Sequence, residues 1–482
     1  MRAEIEGIAA GATPSGASVA RPLSRLVVLP FRLLRADPEI EFLSFALADA
    51  VSASLSGLPS VVIRSSAAAA RFASDSPDLK AIAAQVDVDR VLVGTLLRAG
   101  DQLRASAQLV EAPGGTLLSS QSVQAPLGDV FGLQDELARR LVESLSPTLA
   151  PAEGRPGRAT PASARAYELY LRANELVRDW SQVASARDLY RACVDEDPGF
   201  APGWARLGRS HRLLAKYFRE APEENLARAD EAFRRALALD PGLPLAHKLF
   251  AHREAEMGRA RDAMARLLTL ARASRNDPEA FAGLVHACRY CGLLEASEAA
   301  HRETRRLDPH ASTSVVYTWW ARGDMERVVA ETSDAGDFEL RTMALESLGR
   351  REEARRTLVR PPHSSAAPVF TAIIGALEAL LDGRQEAFDA FAALTASHGD
   401  PEALFMYGAC QARIGDAEGA IATLGRSVDG GFTVPQALRD HPWLAPLRGD
   451  RRVQALLERA DDARREAGRA FLDAGGPALL GS

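Results

Sequence analysis

Cysteine is scarce. Four thiols, Cys193, Cys288, Cys291 and Cys410, stand in 482 residues, too few for a disulfide framework, so reduced thiols are expected. Aromatic residues make up only 6% against 47% hydrophobic residues overall. The apolar content therefore rests on alanine and leucine, which suit closely packed helices. No apolar run approaches the ~18 uncharged residues of a membrane-spanning helix. The first twenty residues, MRAEIEGIAAGATPSGASVA, carry Glu4 and Glu6 and no signal-peptide core. A cytoplasmic protein without a membrane span is expected. Surplus positive charge is also missing: 58 basic against 64 acidic residues give a formal net charge of −6, which leaves no chain-wide field to hold a nucleic acid.

Catalytic signatures are missing too. There is no G-x4-G-K-[ST], no G-x-G-x-x-G after a strand, no G-x-S-x-G and no kinase H-R-D or D-F-G set. His441 beside Asp440 reads as a capped turn residue. The expectation is a protein that is not an enzyme, with no catalytic residues, no cofactor and no metal.

What is present divides the chain. Residues 1–20 lack periodicity and read as a disordered tail. From Leu26 the pattern turns to RLVVLPF, a buried strand, then a helix with Phe42, Phe45, Leu47 and Val51 at helical spacing. SVVIRSS reads as a second strand and DLKAIAAQVDVD as a helix with Leu79, Ile82 and Val86 on one face. RVLVGTLLRAGDQLRASAQLVEAPGGTLLSSQSVQA alternates over three strands, with turns at Gly100-Asp101 and at Pro113-Gly114-Gly115. DVFGLQDELARRLVESL closes the unit as an amphipathic helix. The order β-α-β-α-β-β-β-α predicts an α/β domain over 21–150. A proline-rich linker over 151–163 follows.

Beyond the linker the punctuation repeats. Asp-Pro pairs at 197–198, 240–241, 277–278 and 308–309 end helices, and glycines at 258, 292, 323, 349, 383 and 415 start tight turns. Gly258 and Gly292 are 34 residues apart, as are Gly349 and Gly383. A period of about 34 with paired helices is the tetratricopeptide signature. Ala186, Tyr190 and Cys193, and again Ala229, Phe233 and Ala236, fill the second helix's small and aromatic places, and Trp204, Leu207 and Gly208 supply W-x2-L-G. Five residues after five of the six glycines stands Ala263, Ser297, Val328, Ala354 or Ala420, with Phe388 the exception. The prediction is an all-α tetratricopeptide-repeat solenoid of seven or eight units over 164–434, and a C-terminal helical cap and tail over 435–482.

The one CxxC, in LVHACRYCGLL, falls inside this frame: Gly292 is the turn glycine, and Cys288 and Cys291 sit at packing places of a first helix. A structural zinc needs four ligands, and no second CxxC or H-x3-H lies near. Both thiols are expected to be packing residues.

Residues 25–147 resemble the TolB amino-terminal-like domain found beside tetratricopeptide repeats in bacterial signalling proteins. VVLPF matches its first strand, GTLLRAGDQLRASAQLVEAPGG its strand pair and DVFGLQDELARRLVESL its closing helix. The tail ALRDHPWLAPLRGDRRVQALLERA is similar to the end of such arrays. Ser119, Ser120 and Gln121 depart from the family, which usually has aromatic and charged residues there. Relatives of this kind are often fused to a cyclase, a kinase or a winged-helix domain, none of which is read in this sequence. The resemblance implies a regulatory or assembly part: an adaptor for a protein or peptide, or a regulatory subunit of a separately encoded cyclase or kinase, or an envelope-assembly protein.

A solenoid presents a groove lined by its first helices. Positions 5, 9 and 12 of four successive first helices place Arg209, Arg212, Lys248, His252, His286, Arg289, Tyr317 and Trp320 on that face, with no acidic residue among the twelve positions. Such a basic and aromatic stripe suits an acidic partner. These eight are the candidate partner-binding residues.

Overall fold

Leu26 and Val28 point to one side of the first strand and Val27 to the other, and all three are fully buried. That is the period-two pattern of a strand covered on both faces. In the computed structural model this strand, β1 (Ser24–Val28), lies inside a mixed sheet. The structure describes residues 24–56, 61–64, 72, 77–145, 163–177, 179–309, 311–332, 337–358 and 367–481. The expected tail 1–20, and the expected linker apart from Ser163, lie outside them.

The sheet is built from β1, a two-residue β2 (Arg32–Leu33), β3 (Val61–Ile63), β4 (Arg90–Ala99), β5 (Gln102–Glu111) and β6 (Leu117–Pro126), with α1 (Leu43–Ser56), α2 (Leu79–Val86) and α3 (Val130–Leu145). Its order is β3-β1-β4-β5-β6, with β2 beside β4. β1 runs parallel to β3 and β4, while β4–β5 and β5–β6 are antiparallel. The hairpin register pairs Ala99 with Gln102 across Gly100-Asp101, and Gly100 has φ +64°, the left-handed conformation such a turn needs. α1 and α3 cover one face of the sheet through Leu47, Val51, Leu133, Leu137 and Leu141. α2 covers the other through Ile82 and Val86. Asp78 caps α2 by accepting from the backbone N–H groups of Lys80 and Ala81 at 3.0 Å each. Phe45, expected on the buried face of α1, is 49% exposed; Leu43 takes the inward place.

Among the described residues, eight helix pairs follow. They are α4 (Ala164–Leu176) with α5 (Val183–Glu196), α6 (Ala201–Leu213) with α7 (Pro222–Leu239), α8 (Pro244–Glu256) with α9 (Ala260–Ala273), and α10 (Pro278–Tyr290) with α11 (Leu294–Leu307). Next come α12 (Val315–Arg322) with α13 (Met325–Glu331), α14 (Phe338–Ser347) with α15 (Arg351–Thr357), α16 (Pro368–Asp382) with α17 (Glu386–Ser397), and α18 (Pro401–Ile414) with α19 (Ala417–Asp429). α20 (Pro435–Asp440), α21 (Arg451–Asp473) and α22 (Gly476–Leu480) end the chain. The molecule is thus an α/β domain followed by an all-α solenoid.

The small residues behave as their spacing requires: Ala263, Ser297, Val328, Ala354 and Ala420 are all fully buried. After Gly383 the inward place moves one residue earlier, to Ala387, which is 1% exposed, and this leaves Phe388 partly buried. Asp277 differs from the other Asp-Pro sites. α9 already ends at Ala273, and Asp277 caps the next helix by accepting from Glu279 N at 2.8 Å.

The array curls until its far end meets its middle. Thr433 N donates to Tyr290 O at 3.0 Å, and Arg261 on α9 pairs with Glu466 on α21 at 2.7 Å. Gly292, at φ +68°, comes so close that an added Cβ would lie 2.3 Å from Thr433 O. The α/β domain also docks on the solenoid. Val62 of β3 joins the solenoid's core, Tyr167 Oη donates to Ala46 O at 2.7 Å, and Asn276 Nδ2 donates to Val61 O at 3.0 Å. Arg64, fully buried, donates to Asp87 Oδ2 at 2.7 Å and to Leu307 O.

Candidate functional site

The curl turns the expected groove into a partly open pocket. Its volume is about 190 Å³, and Arg212, His252, His286, Arg289 and Tyr317 line it. These are five of the eight residues of the predicted stripe. The rest of the wall comes from Lys216 and Tyr217, from Glu339 on α14, and from His398, Asp400, Glu402 and Tyr407 at the far end of the array.

Local structure explains how Lys216 and Tyr217 enter. α6 does not stop at Leu213 but widens into a π-helical turn, Leu214–Phe218, that ends where Arg219 adopts φ +59°. Such wide turns re-aim side chains and recur at functional sites. Lys216 Nζ donates to Glu256 Oε1 at 2.8 Å and to Asp400 Oδ2. Arg212 makes a two-pronged contact with the same Glu256, from Nε at 2.9 Å and Nη2 at 2.5 Å. Burial alone would raise the Glu256 carboxyl, yet these two cations hold it well below its ordinary range.

Arg289 is the most completely bound of the stripe. Its side chain is 1% exposed. Nε and Nη2 donate to Glu402 Oε1 and Oε2 at 2.6 and 3.1 Å, and Nη1 donates to Ser314 O at 2.8 Å. Its guanidinium lies 5.4 Å from the centre of the Tyr317 ring. Nη2 also stands 3.0 Å from His286 Nδ1. An arginine has no acceptor, so Nδ1 must be the acceptor and the neutral imidazole carries its proton on Nε2. His286 stacks on His252 with ring centres 4.0 Å apart. Burial, reinforced by nearby cations, keeps both imidazoles well below their ordinary pKa. Two of the pocket's acids go the other way: burial raises Glu402 despite Arg289, and it lifts the Glu339 carboxyl to about 7 although Tyr317 Oη donates to it at 3.1 Å.

The expectation of an exposed basic stripe is therefore corrected. Helical spacing placed five residues correctly on one inner wall, but Glu256, Asp400 and Glu402 neutralise the cations, and no position-5, 9 or 12 reading contains those carboxylates. Trp320 lies under the wall: it is 2% exposed and packs on Phe405 and on His441, whose ring centre is 4.6 Å away. Lys248 and Arg209 lie outside the pocket lining. Lys248 pairs with Glu279 at 2.8 Å, and burial beside Arg206 brings Arg209 down to about 10. Of the residues that spacing missed, Asp400 and Glu402 carry a sequence signal. Asp400-Pro401 is a further Asp-Pro pair in which Asp400 caps α18, accepting from Glu402 N at 3.0 Å.

The CxxC thiols are elsewhere. Cys288 is fully buried and Cys291 4% exposed, and both are free. Burial pushes Cys291 up to about 12 and Cys288 well above its ordinary value, which is the condition of packing residues rather than of reactive thiolates. His441 Nδ1 accepts from Trp443 N at 3.3 Å at the start of a 3₁₀ turn, and burial lowers the ring to about 3.

No protein-family profile matches the chain. The chain is similar to a Rhizobium meliloti (strain 1021) protein named "Putative adenylate cyclase 3", with 25% identity over 228 residues, which is 46% of this chain and 38% of that protein. The chain thus spans well under half the length of this relative. Among solved structures it is similar to the P58(IPK) TPR domain, covering 63% of this chain and 99% of that one, with 12% identity and a TM-score of 0.20.

Proposed function

We propose that this chain is a non-catalytic adaptor of bacterial signalling, acting in the cytoplasm by holding a protein partner. The observation that carries the reading is the stack of eight helix pairs in register, an architecture whose extended surfaces serve protein recognition. In this reading residues 21–150 are a TolB-like domain, 164–434 are tetratricopeptide repeats and 435–482 are their cap. Of the three stripe residues outside the pocket lining, Trp320 is buried beneath the wall, and Arg209 and Lys248 remain candidates for contact with an acidic partner. The other six act inside the array.

The likeness to a protein named as an adenylate cyclase favours a second, narrower reading, in which the partner is a separately encoded cyclase that this chain regulates. One experiment addresses both. The tagged full chain is used to capture partners from its native cell extract, captured proteins are identified by mass spectrometry, and cyclic-nucleotide synthesis by any captured cyclase is measured with and without the chain. A specific partner at stoichiometric level supports the adaptor, and a change in its cyclase rate supports the narrower role. Capture no better than that of a denatured control contradicts both.

A further inference from the structure

The pocket has matched its cations and left one acid over. Arg212, Lys216 and Arg289 are each held by Glu256, Asp400 or Glu402. Glu339 has the phenol of Tyr317 on Oε1, while its buried Oε2 has no partner. The second unmatched group is His286, which is 5% exposed. Its Nε2 carries the proton, because Nδ1 faces Arg289, and that Nε2 is buried without a partner. An unmatched buried acceptor and an unmatched buried donor in one cavity are costly unless something binds them.

The surroundings of Glu339 are aromatic. Tyr217, Tyr317 and Tyr407 line the same cavity, and after burial the charge of Glu339 is among the influences raising all three phenols. Arg289 already lies 5.4 Å from the Tyr317 ring centre and Lys216 5.3 Å from that of Tyr217, so the attraction left for a further organic cation comes from the Glu339 carboxylate, with Tyr407 as the ring not already facing a cation in this way. An anion would find no vacant cation among Arg212, Lys216 and Arg289, and would have to break a buried ion pair to gain one. At about 190 Å³ the cavity is smaller than the ~300–1,000 Å³ of drug-sized pockets, yet it equals the liquid volume of roughly six waters.

We propose that this pocket binds a small organic cation, an amine or quaternary ammonium of a few carbon atoms that also carries a hydrogen-bond acceptor. The charge sits against Glu339 and Tyr407, and the acceptor receives the His286 Nε2 proton. Burial, opposed by the Tyr317 hydrogen bond and by Lys216 and aided by Asp337 and Glu402, holds the empty Glu339 at about 7; a bound cation favours its ionised form, so binding near neutral pH releases a proton. The inference does not depend on the adaptor reading, since small-molecule binding is measured without any partner protein.

The test is calorimetric titration of the full chain with ethanolamine, choline and 4-aminobutanol, with glycolate and ethylene glycol as anionic and neutral controls. Each is run in two buffers of different ionisation heat. At least one of the three cations should bind with 1:1 stoichiometry and release a proton, and the two controls should give no binding heat. Glu339→Gln, which removes a buried charge and should fold at least as well, should weaken cation binding tenfold or more. Tyr317→Phe should weaken it less. The proposal is overturned if none of the three cations binds at about 10 mM, if glycolate binds instead, or if a folded Glu339→Gln variant binds the cation as the natural chain does.

Discussion

Arg289→Met separates a buried ion pair from a solvated groove residue. If Arg289 stood on an exposed stripe, its loss would change stability by about 0.5 kcal/mol or less. In the structure its side chain is 1% exposed and bound to Glu402, Ser314 and His286. Removing it leaves Glu402, 10% exposed, beside Asp400 without its paired counterion and with only the more distant attraction of Lys216. Breaking one side of a buried pair costs about 3–5 kcal/mol. Burial already holds the Glu402 carboxyl above its ordinary range despite Arg289, and without the arginine it rises further. A carboxyl whose folded pKa is raised stabilises the fold below its unfolded pKa and loses that contribution as pH rises through the folded value. The damage should therefore deepen from pH 5 to pH 8. Urea unfolding followed by tryptophan fluorescence measures it, and the double variant Arg289→Met, Glu402→Leu should regain most of the loss because no orphan charge remains. A cost below about 1 kcal/mol at pH 8, with no recovery in the double variant, would refute the buried-pair account.

Glu339 gives a second pH signature. With a folded value of about 7 against an ordinary 4.5, its contribution is complete below pH 4.5 and disappears as pH passes 7. The natural chain should lose about 3 kcal/mol relative to Glu339→Gln across that window, and parallel stability curves would contradict it. Gly292→Ala should cost clearly more than Gly323→Ala. Both residues have positive φ, but a Cβ at Gly292 meets Thr433 O at 2.3 Å, whereas one at Gly323 meets nothing within 4 Å. Equal melting temperatures would mean the array does not close there. The four buried thiols should react with a disulfide reagent at pH 8 only after urea is added, and fast labelling of the folded chain would show otherwise.

Local chemistry was legible in the sequence wherever one residue's conformation carried it. The turn glycines at 258, 292, 323, 349, 383 and 415 all adopt positive φ, and the residues spaced from five of them, Ala263, Ser297, Val328, Ala354 and Ala420, are buried where the paired helices come close. The strand alternation of β5 needed no tertiary information, since Leu103, Ala105, Ala107 and Leu109 are buried in turn. The closure was not legible. Lys216 and Asp400 are 184 residues apart, and no periodic reading brings them together. Nor does spacing show that Lys216 enters through a π-helical turn or that Glu402 waits opposite Arg289. A helix position gives the direction in which a side chain points, but what it meets there depends on how far the whole array curves. The docking of Arg64 onto Leu307 O was hidden for the same reason.

Arginine footprinting tests most directly the claim that the solenoid curls around a polar pocket with its charges paired inside. The folded chain is treated briefly with a dicarbonyl reagent, and modification at each arginine is read by mass spectrometry. Arg235 and Arg305, on the outer surface, should be modified rapidly, while Arg289 and Arg212 should stay protected until the chain is unfolded. Modification of Arg289 and Arg212 at the rate of Arg235 and Arg305 would show that the inner face is an open groove.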